Sequence, residues 1–82
     1  MKERFRTKDE LFMIRLYEEA SKQSDVADPI DRYYIGTLVH LHTKAVNTIC
    51  NLLARANFIK KHGESDISIT PHGINVAKTL TS

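Results

Sequence analysis

The chain has 82 residues, 41% of them hydrophobic and 27% charged, with a formal net charge of +2. That balance predicts one small folded domain with a modest core. No apolar run approaches the roughly 20 residues of a membrane span, and no secretory signal pattern opens the chain, so a cytoplasmic protein without a membrane partner is expected. The single Cys50 excludes an internal disulfide. Without a cysteine cluster or a Gly-rich phosphate loop, the zinc-site and nucleotide-binding fingerprints are missing, and no cofactor is expected.

Residues 1–7 read as a basic N-terminal arm carrying Lys2, Arg4 and Arg6, with residues 8–82 as the domain proper. Thr7 followed by Glu10 has the spacing of a capping box, a hydroxyl at the N-cap and a carboxylate three positions on. A helix is predicted from about Lys8 to Lys22, burying Leu11, Phe12, Ile14, Leu16, Tyr17 and Ala20. Asp28-Pro29 pairs a good N-cap with the residue that suits the first helical position. A second helix is therefore predicted from about Pro29 to Val39, burying Ile30, Tyr33 or Tyr34, Ile35 and Leu38.

The stretch Ile35–Ile49 then reads as two helices joined by a tight turn. Gly36 removes a side chain where the next helix must cross closely, and Leu41 falls in the angle between the two. The third helix is predicted over Thr43–Asn57, with Val46, Ile49, Cys50 and Leu53 recurring at helical spacing on its buried stripe. Cys50 on that stripe reads as a structural thiol, because burial disfavours the thiolate.

After Asn57 the period changes. Residues 58–62 and the alternating Asp66-Ile67-Ser68-Ile69-Thr70 read as two strands, with turn chemistry at Gly63-Glu64-Ser65, so a β-hairpin is predicted. Thr70-Pro71 restarts a helix that carries Ile74, Ala77 and Leu80 on one side. The fold class expected is mainly α with a small β-hairpin.

Charge is unevenly spread. Residues 9–31 carry seven acids against Arg15 and Lys22, whereas residues 40–62 carry Lys44, Arg55, Lys60 and Lys61 with no acid. Such asymmetry is the outline of a nucleic-acid surface. Thr43, Lys44, Asn47, Thr48 and Asn51 interrupt the apolar stripe of the third helix with polar, non-acidic groups, which is what a helix in a DNA major groove needs on its outer face.

The order helix, helix-turn-helix, hairpin, helix resembles a winged helix-turn-helix domain. The run Leu53-Ala54-Arg55-Ala56-Asn57-Phe58-Ile59 and the Ile69-Thr70-Pro71-His72-Gly73 signature resemble those of bacterial transcription regulators of the MarR-like kind. The likeness covers Ile35 to Leu80 in detail and the remainder by architecture. Two positions depart from the family, which usually has Gly where this chain has His40 in the turn and Asn57 before the hairpin.

The resemblance implies sequence-specific double-stranded DNA binding by a small transcriptional regulator. It places helix 43–57 in the major groove and the wing, residues 58–70, on the backbone or minor groove. The candidate contacts are His42, Thr43, Lys44, Asn47, Thr48, Asn51, Arg55, Lys60, Lys61 and His62. A homodimer reading two half-sites is implied, with the apolar sides of the first helix (Leu11, Phe12, Met13, Ile14) or of the last (Ile74, Val76, Leu80) as its interface. No small-molecule effector is legible. His40 and His42 form His-x-His, but no cysteine or carboxylate cluster accompanies them, so no metal site is expected. Neither a paired acid and base nor an activated nucleophile is recognisable, so enzymatic activity is not expected. The alternative is a protein-protein adaptor on the same fold, since fold does not fix function.

Overall fold

The computed structural model describes residues 6–81, so most of the basic arm expected over residues 1–7 lies outside them. Seven elements follow in order: α1 (Lys8–Ser21), β1 (Ile30–Asp31), α2 (Arg32–Leu38), α3 (Thr43–Arg55), β2 (Ile59–His62), β3 (Asp66–Ile69) and α4 (Pro71–Thr81). The result is mainly helical with a small antiparallel sheet of order β1-β3-β2.

Local sequence accounts for most of the boundaries. Thr7 and Glu10 form the expected capping box, each backbone N–H accepted by the other's side chain at 3.2 and 3.3 Å. Thr70 caps α4 by accepting from the Gly73 N–H at 3.0 Å, and it donates to the Asn57 carbonyl at 2.7 Å. That one buried hydroxyl ties the start of α4 to the end of α3. A Cβ on Gly73 would lie 2.1 Å from the Phe58 carbonyl oxygen, so only glycine lets α4 approach there. The same holds at Gly36, where a Cβ would meet a Val46 methyl at 2.5 Å.

Two non-glycine residues, His40 and Asn57, take the left-handed conformation that favours glycine. His40 takes φ +61° and Asn57 φ +66°. At the end of α2, the Leu41 N–H bonds the Gly36 carbonyl at 2.9 Å and the His40 N–H bonds that of Thr37 at 3.3 Å. At the end of α3, the Phe58 N–H bonds Leu53 at 2.9 Å and the Asn57 N–H bonds Ala54 at 3.0 Å. Both are Schellman closures. They end α3 at Arg55 rather than at Asn57.

The second helix departs from its expected start. Ile30 and Asp31 pair with Ile67 and Asp66 as a third strand, and the helix begins only at Arg32. Its cap is Asp31, which accepts from the Tyr33 N–H at 3.0 Å, not Asp28. Pro29 leads into an edge strand, a place where its missing donor is tolerated.

The core gathers Phe12, Met13, Leu16 and Ala20 of α1, Ile35 of α2, Val46, Ile49, Cys50 and Leu53 of α3, Ile59, Ile67 and Ile69 of the sheet, and Ala77 of α4. The α1 face is rotated from its expected setting: Met13 is buried and Leu11 is 43% exposed. Phe12 and Met13 are therefore core, not dimer surface. Ile74 and Leu80 of α4 pack against the same core, and α1 and α4 lie against each other. Among the described residues no helix is long and apolar enough to cross a membrane.

Candidate nucleic-acid interface

The buried stripe of α3 fixes what its other side presents. With Val46, Ile49, Cys50 and Leu53 turned inward, Lys44, Thr48, Asn51 and Arg55 recur at helical spacing on the outer face, and all four are exposed. Thr43 is exposed at the first helical position. His42 is the N-cap residue, but its side chain makes no capping hydrogen bond. The Thr48 hydroxyl donates back to the Lys44 carbonyl at 3.1 Å, and the residue is exposed.

The hairpin adds one cation directly to this face. The Lys61 ammonium donates to Asn51 Oδ1, so β2 and α3 share a contact at the surface. Lys60 is exposed too, but strand alternation puts it on the opposite face of β2, with His62. His62 Nε2 pairs with the Ser68 hydroxyl at 2.8 Å. The structure thus separates Lys60 and His62 from the α3 face that Lys61 joins.

Asn47 is placed differently from its expected role. Its Oδ1 accepts from Tyr33 Oη at 2.9 Å and from Arg32 Nη1 at 3.3 Å. Bidentate pairing with adenine needs that oxygen as an acceptor. Here it is engaged inside the protein, so Asn47 is not the outward adenine reader its position in the sequence suggested.

Arg32, Tyr33 and Ser65, the neighbours that hold Asn47, were not legible as functional residues. Arg32 directly follows the acidic segment that ends at Asp31, and it is 6% exposed. Its guanidinium carbon lies 5.9 Å from the Tyr33 ring centroid. Only the unforeseen strand β1, which brings Arg32 beside the hairpin turn, could have pointed to it.

The electrostatics are one-sided. Among the described residues, all ion pairs lie on the α1 surface, joining Arg15 to Glu18 and Glu19, and Lys22 to Glu19. Lys44, Arg55, Lys60 and Lys61 have no carboxylate within 4.0 Å among those residues. Behind this face, burial pushes the Cys50 thiol up to about 11, even though Arg32 and Lys61 nearby favour the thiolate. The thiol stays protonated and is part of the core.

Beside the outer face lies an open, mostly apolar cavity of about 580 Å³, between the first turn of α1 and α3. Lys8, His42, Lys44, Thr48, Ile49 and Leu52 contribute to its walls, and Leu52 is 51% exposed. No group of three or more His, Cys, Asp or Glu side chains with metal-binding geometry occurs among the described residues.

Comparison with protein families, with curated proteins and with solved structures finds no match for this chain.

Proposed function

We propose that this chain is a winged helix-turn-helix domain that binds double-stranded DNA and acts as a small transcriptional regulator. In this reading α2 and α3 form the helix-turn-helix, α3 enters the major groove, and the β2–β3 hairpin is the wing. The observation that carries it is the outer face of α3: Lys44, Thr48, Asn51 and Arg55 with no acid among them, joined by Lys61 from the hairpin. Cations left without internal carboxylate partners are available to phosphate. Thr48, and Asn51 through its NH2 group since its Oδ1 accepts from Lys61, are the groups suited to base edges, and Lys44, Arg55, Lys60 and Lys61 to the backbone. A homodimer with its two α3 helices about 34 Å apart would meet successive major grooves.

The test is duplex DNA binding as a function of salt. Four phosphate contacts give a log–log slope of about −3.6, which is about a 150-fold loss of affinity between about 50 and 200 mM salt. A slope near zero would refute the reading.

The adaptor reading has one observation in its favour, the open cavity with Leu52 exposed on its wall. A protein complex that survives loss of Lys44, Asn51 and Arg55, from a chain that binds no duplex, would establish it instead.

A further inference from the structure

We propose that Arg32 is a positioning residue that holds the β2–β3 hairpin and α3 together as one binding surface. The proposal rests on the DNA-binding reading.

Arg32 grips both parts at once. Its backbone N–H and its Nε both donate to the Ser65 carbonyl, at 2.9 and 3.0 Å, at the end of the hairpin turn. Its Nη1 donates to Asn47 Oδ1 on α3. The side chain is therefore a strut from the hairpin turn to the helix, anchored at the start of α2.

Stability does not explain the strut. Arg32 is 6% exposed, and no carboxylate lies within 4.0 Å of it among the described residues. A buried cation with only neutral acceptors carries an uncompensated desolvation cost, and well-packed apolar side chains of similar volume often replace buried charges without loss. Nor is the side chain needed to satisfy its acceptors. Without it, the Ser65 carbonyl keeps the backbone N–H of residue 32, and Asn47 Oδ1 keeps Tyr33 Oη. What is lost is the link, together with the guanidinium's place over the Tyr33 ring.

The strut also sets what Asn47 presents. A guanidinium has donors only, so the amide atom facing it is the oxygen. The oxygen is therefore fixed inward, and Asn47 offers no acceptor to a base edge.

The test is Arg32→Met, with Lys61→Ala as reporter. Lys61→Ala in the native chain should weaken duplex binding about eightfold at 0.1 M salt, the worth of one phosphate contact. In the Arg32→Met background the same change should cost less than about twofold, because the hairpin no longer presents Lys61, while the thermal midpoint stays at or above that of the native chain. Arg32→Lys, which keeps the charge but not the fork, should likewise cut the Lys61→Ala penalty below about twofold.

Asn47→Ala cuts the strut from the other end, and it decides the matter if both Arg32 variants unfold. It should abolish the Lys61→Ala penalty and weaken all duplexes alike, where loss of a base contact would weaken only those carrying the right base. An undiminished Lys61→Ala penalty in every folded variant overturns the proposal.

A native chain that binds no duplex refutes the DNA reading separately. The strut is then read from amide exchange at His62 and Asp66, the hydrogen-bonded pair that closes the hairpin, which should speed up about tenfold in Arg32→Met at an unchanged thermal midpoint. Unchanged exchange overturns it.

Discussion

Removing both hairpin lysines offers the sharpest measurement of how this surface would meet DNA. Lys60 and Lys61 are exposed, and neither has a carboxylate partner among the described residues, so Lys60→Ala/Lys61→Ala breaks no ion pair there. The one bond lost is that from Lys61 to Asn51, at the surface, and stability should change by no more than about 1 kcal/mol. Binding should change far more. Each phosphate contact contributes about 0.9 to the salt slope, so a native slope of about −3.6 should flatten to about −1.8. Extrapolated from 1 M salt, each contact is worth about eightfold at 0.1 M, so the pair is worth about 60-fold. Fluorescence anisotropy of a short labelled duplex, titrated at several salt concentrations, reads both quantities. The single variants separate the two faces of β2. Each should carry an equal share, Lys61 beside α3 and Lys60 on the far face of the hairpin, so each single variant should read a slope of about −2.7. A double variant that keeps a slope near −3.6 would refute the assignment of the hairpin to the DNA backbone.

Other consequences concern the fold and are read without DNA. His40→Gly relieves a non-glycine residue at φ +61° and should raise stability by about 1 kcal/mol in denaturant unfolding. Asn57→Gly should gain less, since asparagine tolerates that conformation better. Gly73→Ala places a methyl 2.1 Å from the Phe58 carbonyl oxygen, so α4 must shift, and a loss of about 3 kcal/mol or more is expected by thermal or chemical unfolding. Cys50, buried with its thiol pushed up to about 11, should resist thiol reagents at neutral pH until the chain unfolds. Because the folded state holds this group neutral, its contribution to stability is complete below the unfolded value near 9.0 and is lost as pH rises through about 11. Cys50→Ala should flatten that alkaline decline in a pH-dependent melting series.

Local chemistry in the sequence determined α1, α3 and α4, the caps of α1 and α4, and the hairpin. The Thr7–Glu10 box, the Thr70-Pro71 restart, the apolar stripe of α3 and the alternation of Ile67 and Ile69 each involve residues a few positions apart, and the forces that read them act at that range. The bare outer face of α3 follows directly, because fixing the buried stripe fixes its opposite. His40 and Asn57 stood out only through the family resemblance, and α3 ends two residues before the end expected at Asn57.

Only the tertiary structure decided what depends on distant partners. Ile30 becomes a strand because Ile67 offers it an edge, overriding a good local helix start at Asp28-Pro29. Met13 rather than Leu11 fills the core because α4, α2 and the sheet set the rotation of α1. Asn47 is turned inward because Arg32 and Tyr33 arrive from α2 with donors that its oxygen satisfies. Lys60 and Lys61, adjacent in the chain, are parted by the pleat, and only Lys61 meets Asn51. Periodicity shows which side of an element is apolar, but pairing a buried polar group needs a specific neighbour, and here those neighbours are 15 and 33 residues away.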